Sequence, residues 1–486
     1  MTKNTAIIFL NRLISPVIAM VLVIYVARHL SVEDMGKYSF IRSYFSIFMV
    51  IASFGLQRPL IREIANNQKK AGVYFFNSAL LGLGSSVAMI GIACAIILLA
   101  DYPRDVRIGV YIISFALLAT TLDEYCQAVF AAFEKFGQNT VIILVSSLLR
   151  TAAAILVLVH GHGLFLLIAV ILGVDFIELF LKLVAVKKMV GSIPVMVEPQ
   201  FVKSLVRLVP TFTLISVLSV IYWRVDMLML SKMTTMVEVG IYAAAYRLME
   251  ACKSLPLSIT RAMFPGLSQM CCTDMTRAKA KTNQVYKWTA LLIIPLAAGT
   301  AMFADEIIFF FYKAKFMAAA PVLQILIWTI VPYGLAMILA NLLVACNLQK
   351  YDLYVNLVAF SLNLVLNFVL IRKYSYLGAS YATLISIVVF FALQLYFVRR
   401  HLFALHYAAL LVRPLVASLA MSGFLYYSTD LPMLVRLIAA VGIYVTALGL
   451  MKTFTKPELA RLGLAKCDWP MKLFFKKEKV TVRIVE

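Results

Sequence analysis

The sequence predicts an all-α, polytopic membrane protein of about 14 transmembrane helices, arranged as two pseudo-symmetric six-helix lobes plus two C-terminal helices. The first observation is composition: 63% of the residues are hydrophobic, 14% are charged and the mean hydropathy is +0.93, whereas roughly half of a soluble chain is apolar. The second is that apolar stretches of about 20 residues, long enough to cross a bilayer as helices, recur along the chain. The third is an internal repeat.

Each apolar stretch is interpreted as one helical span, because a backbone in lipid must satisfy its own hydrogen bonds. The alternation of membrane β-strands does not occur in the sequence. The first stretch has no small-residue cleavage site and leads into a second, which predicts a retained helix rather than a signal peptide. The predicted spans are 5–27, 36–57, 72–100, 106–132, 138–160, 163–186, 204–230, 238–264, 283–312, 318–347, 352–371, 376–398, 408–427 and 431–451.

The net charge of +22 is explained mainly by topology rather than by nucleic-acid binding. Lysine and arginine accumulate on cytoplasmic loops, and a cytoplasmic N-terminus places 27 of them inside and 10 outside. The predicted location is therefore the cytoplasmic (inner) membrane, with both termini in the cytoplasm. The basic tail is expected to rest on anionic membrane lipids. Scattered cysteines and an isolated His160–His162 pair predict neither a disulfide framework nor a metal site, and no cofactor is expected.

The internal repeat relates VEDMGKYSFIRSY near the start to MVEVGIYAAAYRL in the middle of the chain. Gly36 and Tyr38 fall on Gly240 and Tyr242 with one offset of 204 residues. A weaker correspondence sets HGLFLLIAVI beside LGASYATLIS. Duplicated helical units are common in secondary transporters, which hold substrate between the halves. The predicted organisation is an N-terminal lobe 1–190, a linker 191–203, a C-terminal lobe 204–400, accessory helices 401–455 and a tail 456–486.

Several segments, in this order and spacing, resemble the Wzx-type polysaccharide (O-antigen) flippases of the multidrug/oligosaccharidyl-lipid/polysaccharide exporter (MOP) superfamily. They are YVARHLSVEDMGKY, GLQRPLIREIA, RVDMLMLSKMTTMVEVGIYAAAYRL, FPGLSQ and LGASYATLIS. The resemblance covers nearly the whole chain. It implies two six-helix lobes, with helices one, two, seven and eight around a central cavity. It also implies transport of a lipid-linked oligosaccharide, of the undecaprenyl-diphosphate type, from the inner to the outer leaflet for surface polysaccharide biosynthesis.

Charged residues well inside the predicted spans concentrate in the first eight, and spans ten to fourteen contain essentially no charge in their middles. A charge at the bilayer centre costs about 2.5–3.5 kcal/mol on insertion scales, so such residues usually face a wet cavity or a partner. Guanidinium groups bind phosphate oxygens in pairs and keep their proton, which suits an anionic head group. Lys182, by contrast, is expected to be an anchor at the cytoplasmic end. The predicted substrate-binding cations are Arg12, Arg42, Arg224, Arg247 and Lys253.

Four intramembrane carboxylates, Asp175, Glu178, Asp226 and Glu250, are candidates for ion coupling. A protonatable carboxylate in a cavity can couple transport to a proton or sodium gradient. The alternative is that each one forms a structural ion pair that holds neighbouring helices together. Glu250 stands three residues from both Arg247 and Lys253, on the helical face that can bridge them.

Three other functions remain open at this stage. A lipid II flippase has the same number of spans and a cationic cavity. Multidrug efflux is disfavoured because an arginine-lined cavity repels cationic drugs. A membrane glycan polymerase or ligase is disfavoured because the predicted outside loops are short and no nucleotide-binding loop occurs, so no enzymatic activity is expected. The polymerase and other polysaccharide-assembly proteins are candidate partners instead.

Overall fold

The computed structural model describes residues 18–404 and 407–454, which form helices joined by short turns and contain no strand. Three short 3-10 turns occur at Gln68–Lys70, Ala314–Ala319 and Ile327–Thr329. The α-helices are α1 (Ile18–His29), α2 (Val32–Ala52), α3 (Gln57–Asn66), α4 (Ala71–Leu99), α5 (Arg104–Ser114), α6 (Ala116–Ala132), α7 (Phe136–Val159), α8 (Leu164–Val190), α9 (Pro199–Met233), α10 (Met236–Thr273), α11 (Met275–Met302), α12 (Ala304–Tyr312), α13 (Ala320–Leu326), α14 (Ile330–Ala345), α15 (Gln349–His401), α16 (Tyr407–Tyr427) and α17 (Met433–Leu450).

The prediction of an all-α, multi-pass membrane protein is confirmed. Ten helices among the described residues are long and apolar enough to cross a membrane. One of them, α15, contains two helical segments joined at Ser375, whose backbone has φ 50° and ψ −131°. The total of 14 spans stays a prediction. Helices α9 and α10, which cover two further predicted spans, are 35 and 38 residues long.

Two compact units divide the chain. The first contains the described residues up to Ala244, together with Phe310–Phe316 and Asn367–Ala379. Its core includes the fully buried rings of Tyr125 and Phe130 on α6 and the side chain of Leu60 on α3. Helix α3 is amphipathic, with Pro59, Leu60 and Ile64 buried on one side. This packing holds α6 and α8, which carry several of the charges described below.

The segment between α8 and α9, where a linker is predicted, is fastened to α4. Asn77 Nδ2 donates to the Met196 carbonyl oxygen at 2.9 Å, and the Glu198 backbone N–H donates to Asn77 Oδ1 at 3.1 Å. Lys70 Nζ lies 2.7 Å from Glu198 Oε1. Helix α9 then packs against α2 within the first unit. The predicted lobe boundaries at 190 and 204 remain a proposal.

The second unit contains Ala245–Phe309, Met317–Leu366 and the described residues from Ser380 onward. Its core is formed by α11 and α14, and α16 and α17 pack on α11. Arg436 on α17 is only 6% exposed. Its Nη1 lies 2.7 Å from Glu306 Oε1, and its guanidinium carbon lies 4.9 Å from the Phe303 ring centroid. This ion pair therefore links α17, which lies in the predicted accessory segment, to α12.

Candidate functional site

Three of the predicted site residues on α2 and α9 lie in the first unit. The side chain of Arg42 on α2 is exposed, Arg224 on α9 is partly buried and Asp226, also on α9, is 4% exposed. Asp226 Oδ2 accepts a hydrogen bond of 2.8 Å from the Tyr242 hydroxyl on α10. Asp226 therefore has a partner on a neighbouring helix. The fifth predicted cation, Arg12, lies outside the described residues.

The stripe of charges on α10 lies in the second unit. Arg247 Nη1 is 3.2 Å from Glu250 Oε2, so the predicted i, i+3 pair forms. The Arg247 side chain nevertheless stays 39% exposed. Lys253 is 8% exposed, and its Nζ lies 4.8 Å from the Tyr333 ring centroid. An aromatic face attracts a cation and compensates part of its desolvation.

A ladder of alternating charges, partly buried and with Lys182 fully buried at its centre, connects α6, α7 and α8 in the first unit. Arg150 Nη2 lies 2.6 Å from Asp175 Oδ1 and 3.1 Å from Glu178 Oε2. Lys182 Nζ lies 2.9 Å from Glu178 Oε1 and 2.6 Å from Asp123 Oδ1. Glu178 thus binds one cation with each carboxylate oxygen. We call Asp175, Arg150, Glu178, Lys182 and Asp123 the charge ladder.

Two of the candidates for ion coupling have their ion-pair partners within the charge ladder. Asp175 and Glu178 both lie in ion pairs, with side chains 16% and 12% exposed. The expectation that Lys182 is a cytoplasmic-end anchor is wrong, because its side chain is fully buried. A buried cation is retained only when carboxylates compensate its desolvation, and here two of them contact the ammonium group.

The repeat-related glycines face each other where α2 meets the start of α10. A Cβ added to Gly36 would overlap the Met236 carbonyl oxygen, and a Cβ added to Gly240 would overlap the Val32 carbonyl oxygen. These four residues are related by the same 204-residue offset. The contact is therefore symmetric under the repeat. Only glycine lets the two backbones approach this closely, as at small-residue helix crossings in membranes.

Charged side chains make further contacts near this glycine crossing, at the helix ends predicted to face outside. The Lys37 side chain, 11% exposed, binds Asp105 on α5, and its Nζ lies 2.7 Å from Glu33 Oε1. Lys232 at the end of α9 donates to the Ala100 carbonyl oxygen, and its Nζ lies 5.0 Å from the Tyr102 ring centroid. Tyr102 and Ser231 share a hydrogen bond of 3.0 Å. Burial raises the pKa of Tyr102, while this hydrogen bond acts in the opposite direction.

A further contact at the same end links α1 to the first-unit segment Phe310–Phe316. Arg28 Nε donates to the Phe311 carbonyl oxygen at 2.9 Å, and Lys315 Nζ donates to the Arg28 carbonyl oxygen at 2.9 Å. Each helix end has carbonyl groups without an intrahelical partner, and cationic side chains satisfy them here. We call these contacts, together with the glycine crossing and the Lys37 and Lys232 interactions, the outer closure.

Comparison with known families identifies the chain. A family model described as "Polysaccharide biosynthesis protein" matches residues 1–271, more than half of the sequence. The chain belongs to this polysaccharide biosynthesis family. The sequence-based resemblance to polysaccharide flippases of the MOP superfamily is confirmed at this level, whereas assignment to the Wzx branch remains a proposal. A second family model, MatE, matches residues 212–369.

This member of the polysaccharide biosynthesis family is similar to a probable flippase in sequence and to two transporters in fold. It is 23% identical to a probable low-salt glycan biosynthesis flippase of Haloferax volcanii, over 75% of this chain and 76% of the relative. The fold is similar to that of the lipid II flippase MurJ in an inward closed conformation, with TM-score 0.78, 15% identity and coverage of 91% of this chain and 98% of that one. It is also similar to an inward-facing multidrug resistance MATE family transporter of the MOP superfamily, with TM-score 0.66, 13% identity and coverage of 82% and 95%.

The sequence motifs of the polysaccharide biosynthesis family did not indicate the charge ladder. One signal was available: Glu178 and Lys182 are spaced i, i+4 on one helix. The partners Asp123 and Arg150 come from α6 and α7, and no spacing rule predicts which helices pack together. The outer closure was likewise missed, although the repeat already aligned its two glycines.

Proposed function

We propose that this protein is a flippase that moves lipid-linked oligosaccharides of the undecaprenyl-diphosphate type from the inner to the outer leaflet of the cytoplasmic membrane, for surface polysaccharide biosynthesis. One observation carries the proposal: the polysaccharide biosynthesis model spans residues 1–271, the part of the chain that contains every proposed binding cation. The protein acts as a transporter without an enzymatic step. Both termini lie in the cytoplasm.

The diphosphate is the part of the substrate whose transfer into the hydrocarbon layer costs the most free energy, because it is charged. Arg42, Arg224 and Arg247 offer guanidinium groups that form paired hydrogen bonds with phosphate oxygens. Lys253, held beside Tyr333, adds a compact positive charge. Arg12 completes the proposed set. Together these cations replace the water that the diphosphate loses.

Transport proceeds by alternating access, in which the outer closure is one of two states. The close approach of Gly36 and Gly240 supports a closed arrangement at the outside end. Release to the outer leaflet then requires α2 and α10 to separate at this crossing. The candidates for coupling this change to a proton or sodium gradient are Asp175, Glu178, Asp226 and Glu250. Membrane lipids and polysaccharide-assembly proteins, including the polymerase, are the proposed partners.

A lipid II flippase is the second candidate function. The observation that favours it is the TM-score of 0.78 with MurJ, over 98% of that chain. Both candidates carry a lipid diphosphate, so the same cations serve either one. The two differ in the glycan attached to the carrier, and transport assays with the two lipids distinguish them.

Replacing Arg224 or Arg247 by alanine tests the proposed function. Because a hydrogen bond to a charged group contributes about 1.5–3 kcal/mol, each variant should transport about ten- to a hundredfold more slowly. The measurement is the appearance of a fluorescent polyprenyl-diphosphate oligosaccharide in the outer leaflet of proteoliposomes. Insertion and folding are checked by size-exclusion chromatography.

Arg372→Ala is the matched control for this experiment. Arg372 is an arginine on α15 whose guanidinium carbon lies 3.9 Å from the Phe368 ring centroid, and it is not among the proposed cations. This variant should retain the wild-type rate. Wild-type rates in both Arg224→Ala and Arg247→Ala would contradict the proposed binding site.

A further inference from the structure

A carboxylate in the second unit is contacted by neutral donors instead of a cation. Asp352, in the first turn of α15, is partly buried. Gln394 Nε2, later in α15, donates to Asp352 Oδ1 at 2.6 Å, and Asn356 Nδ2 donates to the same oxygen at 3.2 Å. Both donors are amides. Among the described residues, no lysine, arginine or histidine forms an ion pair with Asp352.

Cations close to Asp352 or Gln394 in the sequence make other contacts. Lys350 Nζ lies 5.0 Å from the Tyr351 ring centroid, and Arg400 Nη1 donates to the Tyr396 hydroxyl at 2.6 Å. The carboxylates of the charge ladder, in contrast, each contact a lysine or an arginine. An ionised carboxylate at a membrane span is costly unless a positive charge compensates it. Asp352 lacks the compensation that the charge ladder has.

Two oxygen atoms beside the hydrogen bond between Gln394 and Asp352 have no donor. Asp352 Oδ2 accepts no hydrogen bond within the described part of the chain, because both donors contact Oδ1. Gln394 is fully buried, and its Oε1 has no hydrogen-bond partner there either. The oxygen and nitrogen of one amide group are only about 2.2 Å apart, so Oε1 lies close to the carboxylate. A buried oxygen without a partner costs free energy unless a donor or a cation contacts it.

We propose that Asp352, Gln394 and Asn356 form a binding site for a monovalent alkali cation, for which sodium is the probe. Carboxylate and amide oxygens are the ligands that hard cations prefer. Asp352 contributes one formal negative charge, which balances one monovalent cation. The terminal torsion of glutamine has two broad minima, so rotation of the Gln394 amide directs Oε1 to a cation bound by Asp352. Water completes the coordination, because Asn356 is exposed.

A cation at this site joins the beginning of α15 to its later part within the second unit. Aromatic contacts already bring these segments together, since the Tyr351 ring centroid lies 4.9 Å from that of Phe397 and 4.1 Å from that of His401. The cation adds a second link between them. The site shares no residue with the proposed substrate-binding cations or with the four carboxylates that are candidates for ion coupling. Its test therefore needs no substrate.

Thermal unfolding of the full-length protein in detergent tests the inference. Sodium chloride replaces choline chloride stepwise at constant ionic strength and pH, so that screening by salt stays equal. A ligand that binds only the folded state stabilises it in a saturable way. Wild type should therefore show a rise in unfolding temperature with a defined sodium midpoint. Asp352→Asn should raise that midpoint at least about tenfold, because the only formal charge among the ligands is lost.

Two further variants separate a cation site from a purely structural hydrogen bond. Gln394→Glu places a second carboxylate beside Asp352, so it should lower the sodium midpoint, whereas loss of a structural hydrogen bond would lower stability equally in sodium and in choline. Asp430→Asn is the matched control, because Asp430 is an exposed aspartate of the same unit, in the turn before α17. This variant should leave the midpoint within about twofold of wild type.

Two results overturn the inference. Equal unfolding temperatures of wild type in sodium and choline chloride would show that no sodium binds. A sodium midpoint that Asp352→Asn leaves unchanged would show that the cation binds elsewhere. If Asp352→Asn does not fold, Gln394→Glu decides, and a midpoint that is not lowered refutes the site. The proposed function stands in each case, because it is tested with lipid diphosphates.

Discussion

Lys182→Met should lower the free energy of unfolding by about 3–5 kcal/mol, because breaking a buried ion pair on one side leaves the opposite charge uncompensated. Methionine fills a similar volume but offers no charge to Asp123 or Glu178, which contact the Lys182 ammonium group at 2.6 Å and 2.9 Å. Glu178 keeps its ion pair with Arg150 in this variant, whereas Asp123 loses the cation that it contacts. The measurement is the thermal unfolding temperature of the purified protein in detergent.

The double variant Lys182→Met/Asp123→Asn is the control for this prediction. It removes the ammonium group together with the carboxylate that has no other cation in the ladder. We expect it to recover most of the lost stability, since paired removal of buried charges is often nearly neutral. If Lys182→Met melts at the wild-type temperature, the ladder makes no contribution to stability.

Gly36→Leu should abolish transport, because any Cβ at this position overlaps the Met236 carbonyl oxygen and forces α2 and α10 apart. The outer closure then cannot form, and alternating access loses one of its two states. Gly240→Leu should have the same effect, since its Cβ overlaps the equivalent carbonyl oxygen of Val32. The measurements are the proteoliposome rate and the labelling of an engineered cysteine at the crossing by a membrane-impermeant thiol reagent.

Gly91→Leu is the matched control for the glycine variants. Gly91 is also a helical glycine of the first unit, on α4, but a Cβ there has no heavy atom within 4 Å. This variant should transport at the wild-type rate. Transport by Gly36→Leu at the same rate, without increased labelling, would show that the close crossing is not required for the cycle.

The sequence was sufficient for the features that depend on composition and on local spacing. The apolar stretches predicted the fold class, and the 204-residue offset aligned Gly36 with Gly240, which meet in the structure. The i, i+3 spacing also predicted the contact between Arg247 and Glu250. These features follow from the chain itself, because helical period and segment length are encoded locally.

Features that depend on which helices pack together could not be predicted. Lys182 lies four residues before the end of its predicted span, a position typical of an anchor. Only the packing of α6 and α7 against α8 shows that it is buried between Asp123 and Glu178. The same reason applies to Lys37, whose position near the end of a span gave no indication of Asp105. Tertiary partners have no signature in spacing along one helix.

The most direct test of the central claim, that intramembrane cations bind a lipid diphosphate, compares two ligands that differ only in charge. Wild-type protein in nanodiscs is titrated with a prenyl diphosphate and with the uncharged prenol of the same length, at low and high salt. We predict selective binding of the diphosphate that weakens as salt screens the charges. Equal affinity for both ligands, unchanged by salt, would contradict the claim.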